Sequence, residues 1–118
     1  MLAGVVAACA HLPVKLADET LDLRARRAVL AFVEAVESDR FDVAYGMLSS
    51  NLRERYSPEK LRSDFVSEPE SRTRLARARY ASSLHLVEKG GTWLFEISPA
   101  QSVRLVLEKG EFRLLSLE

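Results

Sequence analysis

Histidine and cysteine, the side chains that most often ligate zinc or act in nucleophilic catalysis, occur only at Cys9, His11 and His85 in this 118-residue sequence. Cys9 and His11 are far in sequence from His85, so the chain has no zinc-ligand spacing. No serine stands in a motif that would pair it with a histidine base, and there is no glycine-rich phosphate loop. The sequence therefore predicts no metal, no cofactor and no catalytic residue. It favours a binding protein over an enzyme.

The composition is that of an ordinary globular domain. Hydrophobic residues make up 47% of the chain and charged residues 29%, and 17 basic residues balance 17 acidic ones. A chain of this length and composition is expected to form one domain. Because the positive and negative charges balance, no overall field attracts nucleic acid. No apolar run is long enough to span a bilayer as a helix.

Helical periodicity begins near Thr20. Apolar residues recur at three- and four-residue spacing from Ala25 to Val36, which predicts a helix with one apolar face. Asp18 and Thr20 are both suited to cap its start, because their side-chain oxygens can accept from the first free backbone N–H groups.

Two more helices are expected before the middle of the chain ends. One begins at Phe41 or Asp42 and continues through Leu52. The next begins at Ser57-Pro58-Glu59, which combines a capping serine with proline at the first helical position, and it ends before Pro69. Residues 70–78 are open between a further helical turn and a loop.

After residue 79 the apolar residues alternate, which predicts β-strands. Four strands are expected over residues 79–88, 92–98, 102–108 and 111–117. Gly90-Gly91 and Lys109-Gly110 are typical of two-residue hairpin loops. Helices followed by strands predict an α+β fold, with N-terminal helices packed on one face of a curved four-stranded antiparallel sheet.

The hairpin loops predict which residues share a face of the sheet. Leu86 is expected opposite Phe95, Leu105 opposite Leu114, and Phe95 beside Leu105, all on the face that the helices cover. The outer face still carries five aliphatic residues, which predicts a partner surface and, through it, a homodimer. These are Val87, Leu94, Val106, Leu115 and Leu117.

The same register places His85, Glu96 and Arg104 side by side on the outer face. A histidine–glutamate pair is suited to general-base chemistry. The alternative is a cross-strand charge ladder, in which each pair contributes about 0.2–1 kcal/mol. We favour the ladder, because the outer face lies away from any pocket under the helices.

Four arginines follow one another without an intervening acid at residues 72, 74, 77 and 79. Such a run is suited to anionic lipid head groups, or it is a solvated face. The absence of interleaved aromatic residues speaks against nucleic acid.

At the N-terminus, Val6-Ala7-Ala8-Cys9 resembles the lipobox of bacterial lipoproteins, with an aliphatic residue, two small residues and a cysteine. The resemblance implies a signal over residues 1–8, lipid attachment at Cys9, a tether over residues 9–20 and a domain over residues 21–118. Such signals begin with basic residues, and none precedes Cys9, so this interpretation also implies basic residues encoded upstream of Met1. The alternative is a frayed apolar N-terminus with a buried or idle cysteine.

The segment AVLAFVEAVESDRFDVAYGMLSSNLRERYSPEKLRSDF resembles the opening of nuclear-transport-factor-2-like (cystatin-like cone) domains, especially those of small bacterial lipoproteins. The resemblance implies a curved sheet wrapped around helices, with a pocket in the cone. Aromatic residues suited to line such a pocket are Tyr45, Tyr80, Trp93 and Phe95. Because this fold hosts many activities, the resemblance bears on the fold more than on the function.

Together these features predict a lipoprotein of the bacterial cell envelope whose domain binds a small apolar ligand or another protein. Two alternatives stay open. One is an enzyme acting on a small apolar substrate in the cone pocket, and the other is a cytoplasmic binding domain. A titratable side chain inside the pocket would favour the enzyme.

Overall fold

The computed structural model describes Val14–Leu16 and residues 18–117. In this part of the chain, five helices lie between a first short strand and four further strands. The α+β class predicted from the sequence is confirmed. The elements are β1 (Val14–Leu16), α1 (Glu19–Glu37), α2 (Phe41–Gly46), α3 (Ser50–Arg55), α4 (Pro58–Ser67), α5 (Ser71–Ala81), β2 (Leu86–Lys89), β3 (Thr92–Ser98), β4 (Gln101–Glu108) and β5 (Glu111–Leu117).

Helix α1 forms where the apolar stripe predicts it. Of the two candidate caps, Asp18 is the one used, and its Oδ1 accepts from the backbone N–H of Leu21 at 2.8 Å. The stripe from Ala25 to Val36 is buried against the sheet and the other helices. Burial of each valine or phenylalanine of such a stripe stabilises the fold by about 1.5–3 kcal/mol.

The helix expected from Phe41 through Leu52 is divided in two. Residues 47–49 separate α2 from α3, and Leu48 pairs in parallel with Leu114 at the free edge of β5. The N–H of Leu114 donates to the carbonyl of Met47, and the N–H of Ser49 donates to the carbonyl of Leu114. Edge strands expose unpaired backbone N–H and C=O groups. The two hydrogen bonds to Leu114 pair such groups at the edge of β5, and they replace the helical hydrogen bonds that a continuous helix would have at this point.

Helix α4 begins as the Ser-Pro-Glu pattern predicts, with the hydroxyl of Ser57 accepting from the N–H of Lys60 at 3.1 Å. The ambiguous residues after Pro69 are helical, and α5 continues to Ala81, so the strand expected from residue 79 is wrong at its start. Leu75, Ala78 and Ala81 are buried on one face of α5. The small alanines allow α5 to approach α1 and the ends of the central strands closely.

The sheet is an antiparallel meander in the order β1-β2-β3-β4-β5. Strand β1 pairs with the edge of β2, with Leu16 opposite Val87. The tether predicted over residues 9–20 is therefore too long, because residues 14–16 already belong to the sheet and residue 19 begins α1. The domain starts by residue 14 rather than at residue 21.

Both predicted hairpin loops are present. Gly90 and Gly91 have φ of 59° and 86°, and Lys109 and Gly110 have φ of 53° and 81°. Positive φ at both central residues is the conformation that a two-residue hairpin turn requires. The resulting pairs, Leu86 with Phe95 and Leu105 with Leu114, are confirmed.

The register across β3 and β4 differs from the prediction. Phe95 pairs with Val103 rather than lying beside Leu105, and Glu96 pairs with Ser102. The reason is the connection between the strands that were expected over residues 92–98 and 102–108. It is a tight turn that joins Ser98 to Gln101, with an irregularity between Glu96 and Ser98.

A second irregularity, between Arg104 and Leu105, leaves Leu115 without a partner on β4. Leu114 pairs with Leu105, but Ser116 then pairs with Arg104 and Leu117 with Val103. Because side chains alternate along a strand, the extra residue moves Leu117 to the inner face. Leu117 packs there against the buried core.

Candidate functional site

An apolar cleft opens between the helices and the end of β5. It holds about 310 Å³ and is bounded by α1, α3, α4, α5 and the last residues of β5. Most of its walls are apolar, contributed by Phe32, Leu48, Leu52, Leu61, Phe65, Leu114, Leu115 and Leu117. Ligand pockets of roughly 300–1,000 Å³ are typically apolar with a few polar groups, and this cleft lies at the lower end of that range.

The polar side chains that line the cleft are Tyr56, Asp64, Arg74 and Ser116. Tyr56 lies in the short connection between α3 and α4, just before the capping Ser57, while Asp64 and Arg74 come from α4 and α5. The aromatic, acidic and basic side chains of the cleft therefore come from three different segments of the chain, which the packing of the helices brings together.

Tyr56 is the titratable group most affected by this setting. Burial, reinforced by the neighbouring Asp64 carboxylate, raises the pKa of Tyr56 above its ordinary value, while Arg55 and Arg74 act in the opposite direction. The ammonium of Lys60 lies 5.0 Å from the centre of the Tyr56 ring, within cation–π range. The phenol is protonated at neutral pH, as an ordinary tyrosine is, and Asp64 is its acceptor in the cleft wall.

A second, larger groove lies on the other side of α4. It holds about 810 Å³ and is lined by α1, α4 and α5. Charged side chains make up much of its lining, and Arg79 reaches across to Glu37 with Nη2 2.7 Å from Oε1. This groove is a broad, charged surface, and it is less suited than the cleft to enclose an apolar molecule.

None of the four aromatic residues predicted to line a pocket lines the cleft. Trp93 and Phe95 are buried in the core, and Trp93 packs edge-on against Phe112. The hydroxyl of Tyr45 donates to the carbonyl of Arg53 at 2.8 Å, which ties α2 to α3. Tyr80 is 58% exposed on α5. The prediction was wrong for the cleft, because Trp93 and Phe95 are packed into the buried core, whereas the cleft lies at the last residues of β5.

The predicted ladder of His85, Glu96 and Arg104 is also wrong. His85 precedes β2, and its Nδ1 lies 3.2 Å from Oδ2 of Asp22. Glu96 instead accepts from Nζ of Lys89 at 2.9 Å. Arg104 pairs with Leu94, and its Nε donates to the hydroxyl of Ser102. The three residues are separated for two reasons. The pairing of β2 with β3 does not extend to His85, and the tight turn between β3 and β4 shifts Arg104 away from Glu96.

The outer-face patch is smaller than predicted. Leu117 lies on the inner face, and Leu94 is only 6% exposed. Val87 and Leu94 are paired across the antiparallel strands β2 and β3. Lys89 follows Val87 by two residues on one strand, and Glu96 follows Leu94 by two residues on the other. The Lys89–Glu96 ion pair therefore runs diagonally across the Val87–Leu94 pair on the outer face. The homodimer stays a prediction, with less apolar surface to support it.

Two residues of the cleft, Tyr56 and Asp64, were not predicted from the sequence. Tyr56 comes directly before the Ser57-Pro58 helix start, and Asp64 lies next to the inward-facing Phe65, and neither position carries a signal of its own. Asp22 was missed as well, although a signal was available. It lies three residues before Ala25, in line with the apolar stripe of α1, where an acid is expected only if it has partners.

Among residues 14–16 and 18–117, no helix is long and apolar enough to cross a membrane. The same residues contain no cluster of three or more histidine, cysteine or acidic side chains that could hold a metal ion. Cys9 lies outside the described residues, as does His11.

Comparison of the chain with protein-family models, with curated proteins and with solved structures finds no significant match. The case for a function therefore comes from the residues and their geometry.

Proposed function

We propose that this protein binds a small, largely apolar molecule in the cleft between its helices and the end of β5. The observation that carries the proposal is the combination of an apolar lining with a few converging polar groups in a cavity of about 310 Å³. Desolvating the apolar part of a ligand would supply most of the binding free energy, and the polar side chains would orient it.

The position of the cleft supports the proposal. It lies between the helical layer and the sheet, where the resemblance to cone-like domains implies a pocket. Tyr56 adds a half-buried aromatic ring to the cleft wall, and burial together with the Asp64 carboxylate raises the pKa of its phenol.

An enzyme acting on a small apolar substrate is the second candidate, because Tyr56 and Asp64 are titratable groups in the cleft wall. Those two side chains would have to supply any acid–base chemistry there. Their replacement by Phe and Asn would then abolish turnover of a substrate while leaving its binding largely intact.

The neutral apolar dye N-phenyl-1-naphthylamine tests the cleft directly, because its fluorescence rises on leaving water. We expect saturable binding to one site. Leu52→Trp, which fills the cleft, should weaken that binding by about tenfold or more, equivalent to about 1.4 kcal/mol. The matched control is Leu23→Trp, at an exposed leucine of α1. Equal loss in both variants, or no saturable binding in the unmodified protein, would reject the proposal.

We also propose that a lipid on Cys9 holds the domain at the surface of a bacterial membrane, with a cytoplasmic location as the alternative. The support is the Val6-Ala7-Ala8-Cys9 pattern. Since β1 begins at Val14, the connection from Cys9 to the sheet can span at most about 17 Å. A lipidated Cys9 would therefore keep the β1 edge of the sheet close to the bilayer.

A further inference from the structure

The rim of the cleft is more basic than the protein as a whole. Arg74 lines the cleft, and Lys60 lies over the ring of Tyr56, a tyrosine that also lines it. Arg55 immediately precedes Tyr56 and is near enough to influence it electrostatically, as is Arg74. Asp64 is the acidic side chain in the cleft lining. Three cations therefore lie near Tyr56, and one carboxylate, that of Asp64, lies beside it.

Among residues 18–117, these cations have no ion-pair partner, and the same is true of Arg72 and Arg77 on α5. What sets the three apart is their position near Tyr56. Within residues 18–117, Arg53, Arg62 and Arg79 each lie within 4.0 Å of an acidic oxygen, whereas Arg55, Lys60 and Arg74 do not. A guanidinium without a carboxylate partner is suited to bind a carboxylate or a phosphate from a ligand.

Apolar walls and unpaired cations at one opening define a class of ligand. We propose that the cleft takes an amphipathic anion, with its apolar body among the leucines and phenylalanines and its anionic head group at Arg74, assisted by Lys60 and Arg55. This inference rests on the proposed ligand-binding function and specifies its chemistry.

Asp64 sets a limit on the head group. Its carboxylate occupies part of the opening beside Tyr56, and a second like charge placed against it is unfavourable. A single compact anionic group on the Arg74 side avoids that repulsion. A monocarboxylate with an aliphatic chain therefore suits the opening better than a dianionic head group.

Three molecules with the same aliphatic chain separate the contributions of the chain and the head group. Decanoate, decanol and decyltrimethylammonium would each be used, below their critical micelle concentrations and at neutral pH, to displace N-phenyl-1-naphthylamine from the whole chain. We expect decanoate to bind about tenfold more tightly than decanol, and the cation to bind most weakly. Because rim charges are exposed to solvent, the preference for decanoate should decrease as salt is added.

Variants assign that preference to the rim. Arg74→Gln should remove most of the difference between decanoate and decanol, because it weakens decanoate binding far more than decanol binding, and Lys60→Gln should reduce the difference partly. Arg62→Gln is the matched control, because Arg62 is on α4 but faces Asp39 instead of the cleft. Circular dichroism of each variant verifies folding, and Lys60→Gln provides the test if Arg74→Gln does not fold.

The outcomes separate this inference from the function on which it rests. If all three molecules displace the dye equally, or if the preference persists in both rim variants, the amphipathic-anion inference is wrong although the cleft binds ligands. If the dye itself shows no saturable binding, the ligand-binding function fails first.

Discussion

Nδ1 of His85 lies 3.2 Å from Oδ2 of Asp22, although 63 positions separate the two residues in sequence. The Asp22 side chain, in the first turn of α1, is only 8% exposed, while the His85 side chain is 83% exposed. The other Asp22 oxygen accepts from Nη2 of Arg26 at 2.9 Å, and the backbone N–H of Leu86 approaches Oδ2 at 3.4 Å. One carboxylate thus joins the first turn of α1 to the start of β2.

Asp22→Asn should destabilise the domain by about 1–3 kcal/mol. The amide has the same shape as the carboxylate, but its NH₂ group would replace one of the two oxygens that accept from Arg26 and from the Leu86 N–H. Urea unfolding monitored by circular dichroism measures this change. Glu34→Gln is the control, since that carboxylate is 73% exposed and lies 3.8 Å from Arg40. The control should cost less than about 0.5 kcal/mol. Equal costs for the two replacements would show that the buried carboxylate is not a structural link.

The Lys89–Glu96 ion pair gives a second prediction. A double-mutant cycle with Lys89→Met and Glu96→Gln should show a coupling of about 0.2–1 kcal/mol in unfolding free energy. The parallel cycle with His85→Gln and Glu96→Gln should show none within error, because His85 contacts Asp22 instead. A measurable His85–Glu96 coupling would restore the ladder that the sequence suggested.

Tyr56 predicts how stability changes at alkaline pH. Its pKa is raised in the folded protein, so the unfolded chain loses this proton first, from about pH 10. The folded state then binds more protons than the unfolded state, and the free energy of unfolding falls as the pH rises through that window. Tyr56→Phe should therefore lose stability less steeply above about pH 10 than the unmodified protein does.

The measurement is urea unfolding at a series of alkaline pH values. Tyr80→Phe, at an exposed tyrosine outside the cleft, shows the effect of removing a phenol elsewhere. A larger change of slope in Tyr80→Phe than in Tyr56→Phe would contradict the assignment.

Lipid attachment is the remaining prediction. Produced in a bacterium with a leader that supplies basic residues before Met1, the protein should partition into detergent, and Cys9→Ala should move it to the aqueous phase. Intact-mass spectrometry should show cleavage before Cys9 and an added diacylglycerol. A mass that corresponds to an intact N-terminus with an unmodified thiol would rule out the anchor.

Local signals in the sequence predicted much of this architecture. Three kinds of signal depend on neighbouring residues alone: the stripe from Ala25 to Val36, the Ser57-Pro58 helix start and the two hairpin loops. Their physical causes are periodic burial, capping and permitted φ values, so each can be recognised without knowing the rest of the chain. The α+β class and the ranges 92–98 and 111–117 of two strands followed from them.

The features that the sequence did not show depend on contacts between distant segments. Leu48 leaves the helical pattern because the edge of β5 at Leu114 needs a partner, and the extra residue at Leu115 turns Leu117 inward. Asp22 contacts His85, and Tyr56, Asp64 and Arg74 come to line one cleft, only when segments that are distant in sequence pack together. Periodicity determined which faces are apolar, but the packing of those faces decided where a cleft remained and which charges surround it.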